Sequence, residues 1–270
     1  MNLSALNAGG LVLLGCGKMG SALLEGWLNI GLSPASVSVI EPHPSDWLRS
    51  TGVHLNPDLP PNPVMAILAV KPQMMGDALP SLQALGGGST VFVSVAAGTS
   101  LAMIEDCLGA STPVVRAMPN TPAAVGRGIT ALIGNTFVSS EALALSRTLM
   151  AAVGQTVMLE DESQMDAVTA VSGSGPAYVF HLIETMAAAG VAQGLSEDLS
   201  LQLARATVAG AGALAEAADE TPAQLRVNVT SPNGTTAAAL NVLMDTESGF
   251  PSLLDRAIAA AADRSRELGK

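Results

Sequence analysis

The sequence predicts an α/β protein: an N-terminal, doubly wound, mostly parallel sheet followed by an all-α C-terminal half. Three observations predict it. Residues 11–20 read Leu-Val-Leu-Leu-Gly-Cys-Gly-Lys-Met-Gly, an apolar strand that runs straight into a glycine loop. Short apolar runs then alternate with helical stretches as far as Glu160. After Glu160 the strand-like runs stop and helical stretches alone follow.

The candidate strands are Leu11–Leu14, Val37–Ile40, Met65–Val70, Val91–Val95, Val114–Ala117, Ile129–Ile133 and Thr156–Leu159. Helical patterns lie between them at Lys18–Ile30, Gln73–Leu85, Leu101–Leu108 and Ser140–Ala152. Short apolar strands separated by helices form βαβ units, which need a parallel sheet covered on both faces. The later helical stretches fall at about 163–171, 176–193, 197–218, 222–228, 235–246 and 252–268. Ser196-Glu197-Asp198 and Thr221-Pro222 read as helix starts, with a capping hydroxyl followed by early acids or by Pro in the first turn. These patterns divide the chain into residues 1–160 and residues 161–270.

Composition narrows the partners. The 270 residues are 49% hydrophobic and 13% charged, with aromatics at 3%, so Ala, Leu and Val must fill the core. So little charge suggests that subunits cover one another. Net charge is −11, with no basic run, which argues against nucleic acid. Cys16 and Cys107 make neither a metal spacing nor a disulfide framework, and the expected compartment is the reducing cytoplasm. No basic segment precedes the first apolar stretch, and the longest charge-free run contains Pro80 and Gly86-Gly87-Gly88, so neither a signal peptide nor a membrane span is expected. Gly190, Gly194, Gly210 and Gly212 interrupt good helix formers, at a cost of about 1 kcal/mol each relative to Ala. Close helix approach, including between two subunits, and ordinary helix ends both account for them.

Gly15, Gly17 and Gly20 form G-x-G-x-x-G after a strand and before a helix, the fingerprint of a Rossmann-type dinucleotide domain. The first glycine permits the turn, the second lets backbone approach a pyrophosphate, and the third lets helix and strand pack. The helix start then offers free N–H groups to phosphate. Lys18 would neutralise phosphate charge, or simply be solvated. The second strand ends at Glu41, where an acid meets ribose hydroxyls and repels a 2′-phosphate, favouring NAD over NADP.

Three further strand ends face the ligand crevice of such a sheet. Val70-Lys71-Pro72 closes the third strand, and Lys71 is a candidate contact to cofactor or substrate. Ala97-Gly98 closes the fourth and is small enough to leave room for the nicotinamide ribose. The stiff loop Met118-Pro119-Asn120-Thr121-Pro122 leaves the fifth, where Asn120 offers a donor and an acceptor to a nicotinamide carboxamide, or supports its own turn. In the second half, Ser172-Gly173-Ser174-Gly175-Pro176 and Ser231-Pro232-Asn233-Gly234-Thr235-Thr236 each lead into an Ala-rich helix. Gly175-Pro176 reads as a cap followed by Pro, leaving N–H groups free for a small anion. A dinucleotide loop plus anion-binding loops point to an oxidoreductase acting on a small carboxylate.

Five segments carry a family resemblance: Gly15–Gly20, Ala69–Gln73, Met118–Pro122, Val171–Tyr178 and Val229–Thr236. In order and spacing they resemble pyrroline-5-carboxylate reductase, over nearly the whole chain. The resemblance implies a Rossmann domain binding NADPH or NADH, with Met19 inside the cofactor loop. It also implies a helical domain that forms a homodimer, or a ring of dimers. It assigns the substrate carboxylate to the Ser172, Gly173, Ser174, Gly175 loop and to Ser231, Gly234 and Thr235, and it sets the Thr236 hydroxyl against the ring nitrogen. Family members commonly use NADPH, whereas Glu41 favours NADH. Reduction of a cyclic imine needs a hydride and a proton, so no strong acid–base dyad is expected, and no metal. His43, His54 and His181 lie outside all five segments, and Cys16 reads as a loop filler.

Two other readings compete. A β-hydroxyacid dehydrogenase would carry a lysine early in the second domain, but residues 161–200 contain none. A non-catalytic dinucleotide-binding regulator would have no use for the carboxylate loops.

Overall fold

The computed structural model describes residues 3–269. The first part runs α1 (Ser4–Gly9), β1 (Leu11–Leu14), α2 (Lys18–Asn29), β2 (Val37–Ile40), α3 (Asp46–Ser50), β3 (His54–Leu55), β4 (Met65–Leu68) and α4 (Pro72–Ala78). It continues with β5 (Val91–Ser94), α5 (Leu101–Leu108), β6 (Val114–Met118), β7 (Gly128–Gly134), α6 (Ser140–Ala151) and β8 (Gly154–Met158). Among the described residues the strands form one sheet in the order β3-β2-β1-β4-β5-β6-β7-β8. The pairs are parallel except β6 with β7. That pair is joined by the short Pro119–Arg127 connection, and a parallel pair needs a longer crossover.

Alternation along each strand builds two cores. Leu11, Leu13, Val37, Val39, Met65, Ile67 and Val93 face one side, packed with Leu23, Leu24 and Trp27 of α2 and with Leu149 and Met150 of α6. Val12, Leu14, Ala66, Leu68, Phe92 and Val114 face the other, against Met75 of α4, Leu79 and Leu82 beyond it, and Ile104 and Leu108 of α5. Trp27 is fully buried and its Nε1–H donates to the Leu149 carbonyl at 3.0 Å, so the large ring leaves no orphaned donor. The sheet is therefore doubly wound, and β1 and β4 flank the point where its winding reverses.

The second part contains α7 (Met165–Val168), a π-helical stretch Thr169–Gly173, α8 (Gly175–Ala192), α9 (Glu197–Ala217), α10 (Pro222–Asn228), α11 (Thr235–Leu243) and α12 (Phe250–Leu268). Ser196 Oγ caps α9 through the Leu199 N–H, and Thr221 Oγ1 caps α10 through the Gln224 N–H. The chain forms two compact units. One runs to Gly173 and takes in the chain from Ala261 onward; the other is Ser174–Ala260.

Four local differences from expectation have physical causes. The helix expected over Gln73–Leu85 is α for one part only, because Pro80 forces the rest into a 3-10 turn, Leu79–Leu85. Helix α1 and the two-residue β3 were not expected: one is short, the other pairs only at the sheet edge. The helix expected near 163–171 is broken into a 3-10 turn, α7 and the π stretch. The glycines of the long helices also divide. Gly190 meets Ser200 of α9, where an added Cβ would lie 2.8 Å from the hydroxyl, whereas Gly210 and Gly212 have nothing within 4 Å. Gly194, at φ +95, ends α8.

Candidate active site

Gly15 and Gly20 have the backbone roles that their spacing implies, the turn and the close packing. Gly15 has φ +87, and a Cβ there would lie 2.9 Å from both the Ala69 carbonyl oxygen and Val70 Cγ1. A side chain is excluded by conformation and by the neighbouring strand end together. An added Cβ on Gly20 would lie 2.5 Å from the Gly15 carbonyl oxygen, so its absence sets how closely α2 packs on the loop. Gly17, at the cap of α2, has nothing within 4 Å of such an atom. The open face at Gly17, beside the start of α2, suits a pyrophosphate. Lys18 is exposed and Met19 half-buried at this first turn.

Glu41 turns back into this loop. Its Oε2 accepts the Cys16 N–H at 2.9 Å and its Oε1 accepts the His43 N–H at 2.9 Å. Asn56, itself at φ +46, holds the Glu41 backbone from both ends, accepting its N–H at 2.8 Å and donating to its carbonyl at 2.9 Å. The carboxylate is thus fixed beside the end of β1, with lone pairs left to accept further hydrogen bonds. Burial, and next the Glu41 charge, push the Cys16 thiol up to about 11. That thiol stays protonated at neutral pH, as a loop filler should.

The other strand ends differ in what they offer. Lys71 caps α4 and is exposed, while Val70 and Pro72 beside it are half-buried. Ala97 is half-buried. Gly98 has a structural reason of its own to lack a side chain. It has φ +71, and a Cβ there would lie 2.9 Å from Cβ and 3.1 Å from the carbonyl carbon of Leu268. The space left by its missing side chain is filled by the end of α12.

Asn120 is held at both ends of its amide. Its Oδ1 accepts the Ile129 N–H at 3.0 Å, and its Nδ2 donates to the Ser172 carbonyl and to Ser172 Oγ, both at 3.3 Å. Its oxygen thus closes its own connection between β6 and β7, while its nitrogen reaches across to Ser172. Beside it, Met118 presses on Gly173, where any Cβ would collide with the Met118 methyl. The end of β6 therefore grips the π stretch. Sequence reasoning also missed Arg116 and Glu162. Arg116 is 6% exposed, and its Nη1 meets Glu162 Oε1 at 2.8 Å, which also accepts the Leu101 N–H at 2.9 Å. A lone arginine inside an apolar strand was the available signal.

In the helical unit, Ser174 precedes α8, and Gly175 and Pro176 form its first turn, so the cap is one residue earlier than expected. The loop Ser231–Thr236 turns at Asn233, φ +55, and its Gly234 N–H donates to the Ser231 carbonyl at 3.1 Å. Gly234 caps α11 with extended backbone and no side chain. Thr235 is exposed and Thr236 half-buried in the first turn. No hydrogen bond among the described residues engages the Thr236 hydroxyl.

A doubly wound sheet with this glycine loop at its switch point, and an acid fixed beside it, defines a dinucleotide-dependent oxidoreductase. Residues 11–98 match the family described as NADP oxidoreductase, coenzyme F420-dependent, and residues 162–268 match pyrroline-5-carboxylate reductase dimerisation. The pyrroline-5-carboxylate reductase of Pseudomonas aeruginosa is 38% identical, over 96% of this chain and 97% of that protein. The solved pyrroline-5-carboxylate reductase of Coxiella burnetii superposes with a TM-score of 0.89 at 32% identity, covering 97% of this chain and 99% of that one. A Plasmodium falciparum pyrroline carboxylate reductase solved with NADP bound gives 0.85 at 30% identity, covering 97% and 98%. The chain belongs to the pyrroline-5-carboxylate reductase family.

Proposed function

We infer that this protein reduces 1-pyrroline-5-carboxylate to L-proline with NADPH or NADH, the last step of proline synthesis. The observation that carries the reading is identity with reductases of that name along the full chain, together with a glycine loop left open at Gly17. The bound dihydronicotinamide supplies the hydride. Gly15, Gly17, Lys18, Met19 and Gly20 hold its pyrophosphate, Glu41 the adenosine ribose, and Val70, Lys71, Pro72 and Ala97 line the way toward the reacting end. The fixed Glu41 carboxylate supports a preference for NADH, because a 2′-phosphate would meet a charge of its own sign.

The remaining chemistry is positioning. The Ser172–Gly175 loop and Ser231, Gly234 and Thr235 hold the substrate carboxylate with hydroxyls and backbone N–H groups. Thr236 sets its uncommitted hydroxyl against the ring nitrogen, accepting from a protonated imine or relaying a proton to a neutral one. Residues 161–270 serve as the substrate and dimerisation domain, giving a homodimer or a ring of dimers. Support comes from the exposed apolar side chains of that half, such as Phe180 at 63% and Val242 at 70%. The expected compartment is the cytoplasm; no helix among the described residues is long and apolar enough to cross a membrane.

The test follows cofactor oxidation spectrophotometrically with 1-pyrroline-5-carboxylate. Thr236→Ala should lower kcat/KM by about 10- to 100-fold, since a hydrogen bond whose partner is left unpaired costs about 1–3 kcal/mol. Thr236→Ser should keep most of the rate. No oxidation of either cofactor by the wild type would overturn the assignment, and full activity in Thr236→Ala would reduce that residue to a helix-start threonine.

A further inference from the structure

We propose that Asn120 is a positioning residue that turns the Ser172 hydroxyl into a directed donor for the substrate carboxylate. This rests on the reading that Ser172–Gly175 binds that carboxylate. The Asn120 amide is asymmetric. Its two ends are alike in shape but not in chemistry, and here the surroundings fix which is which. The Ile129 backbone N–H can only donate, so the atom 3.0 Å from it is the Asn120 oxygen. The atom facing Ser172 is then the amide nitrogen, which can only donate.

Two consequences follow at Ser172. Its carbonyl, 3.3 Å from Nδ2, is satisfied by Asn120 and held on that side. Its Oγ, also 3.3 Å from Nδ2, can only be an acceptor in that contact. The hydroxyl proton must therefore point elsewhere, and among the described residues it donates to no group. A hydroxyl that accepts one hydrogen bond is a stronger donor in the next, because the two polarise each other. The chain from Ile129 N–H through Asn120 to Ser172 Oγ thus ends in a proton that seeks an anion. Met118 and Gly173 hold the same junction by packing, which keeps Ser172 within reach of Asn120.

Asparagine is needed because the position requires an acceptor toward Ile129 and a donor toward Ser172. Aspartate keeps the first and reverses the second. In Asn120→Asp the near oxygen would draw the Ser172 proton to itself and face the Ser172 carbonyl without a hydrogen between them. Alanine removes the bias without reversing it.

The experiment measures KM for 1-pyrroline-5-carboxylate and for NADH or NADPH, with melting temperatures, in Asn120→Asp, Asn120→Ala and Ser172→Ala. Asn120→Asp is expected to raise the substrate KM by about 10-fold or more, Asn120→Ala by less, and neither to change the cofactor KM beyond about twofold. In the Ser172→Ala background the excess of Asp over Ala should shrink sharply, since the hydroxyl it acts on is gone. Equal effects of Asp and Ala would overturn the proposal, leaving Asn120 a purely structural link. A raised cofactor KM with an unchanged substrate KM would overturn it in favour of a nicotinamide contact. If Ser172→Ala itself leaves the substrate KM unchanged, the carboxylate reading of the loop has failed; if it raises KM while Asn120→Asp does not, that reading stands and the role given to Asn120 falls. Should Asn120→Asp not fold, Asn120→Ala against Ser172→Ala decides, because an unaltered substrate KM in the former overturns the proposal.

Discussion

The two halves of this chain close their cores in different ways. In the sheet half, every residue of β1, β4, β5 and β6 is buried, and Leu, Val and Ile interlock on both faces. In the helical half, α8, α10 and α11 contain no buried residue. Large apolar side chains there stand exposed, Phe180, Val227 and Val242 among them; what they lack is a second layer. A layer of helices with nothing over it leaves apolar surface in water, at roughly 25 cal/mol per Å². The sheet half is closed within one chain, with the end of α12 folded back onto it, while the helical half needs a second copy to complete it.

The largest test of this contrast is Gly17→Val. Nothing lies within 4 Å of a Cβ added at Gly17, so the fold and assembly should be kept while saturable cofactor binding disappears. Calorimetry that finds unchanged affinity would break the assignment of the loop. Next, Phe180→Asp should split the oligomer in light scattering and lower the melting temperature by several degrees, whereas Phe137→Asp should leave the assembly intact. Phe180 and Phe137 are exposed by 63% and 50%, one in each half, so equal outcomes would erase the distinction.

A smaller effect is expected at Glu41. Glu41→Ser should shift the ratio of kcat/KM for NADPH over NADH upward by about 10-fold, which is about 1.4 kcal/mol. A wild type that already prefers NADPH would show the carboxylate does not meet the ribose. The smallest effect concerns Cys16. With its thiol at about 11, iodoacetamide at pH 8 should modify it about 10-fold more slowly than an ordinary thiol. The rate should climb as pH rises through that value. Ready labelling at pH 8 would show the loop to be more open than the structure has it.

Much of the sheet half was legible because its signals are local. Four-residue apolar runs such as Leu11–Leu14 have little option but a buried strand, and the glycines at 15, 17 and 20 restrict backbone by themselves. Pro80 was legible too, yet its effect on the helix around it depends on how the chain carries on, and the continuous helix was the wrong choice. What stayed hidden depends on distant partners. Asn120 and Ser172 are 52 positions apart, and nothing near either announces the other. Gly98 looked like a ligand's glycine because strand ends usually are, while its neighbour comes from residue 268. The π stretch was missed because its period differs from that of a helix by less than a short segment can reveal.

The contact between Gly98 and Leu268 has a consequence for synthesis. A ribosome delivers the loop after β5 long before it delivers the final turn of α12. The nascent sheet half can assemble its strands early, but one of its loops stays uncovered until α12 has been made. The hydrogen bond from Ser265 Oγ to Asp166, at 2.6 Å, closes at the same moment. Helix α12 acts as a late fastener: the first half is complete only once this helix has been made and has folded back onto it.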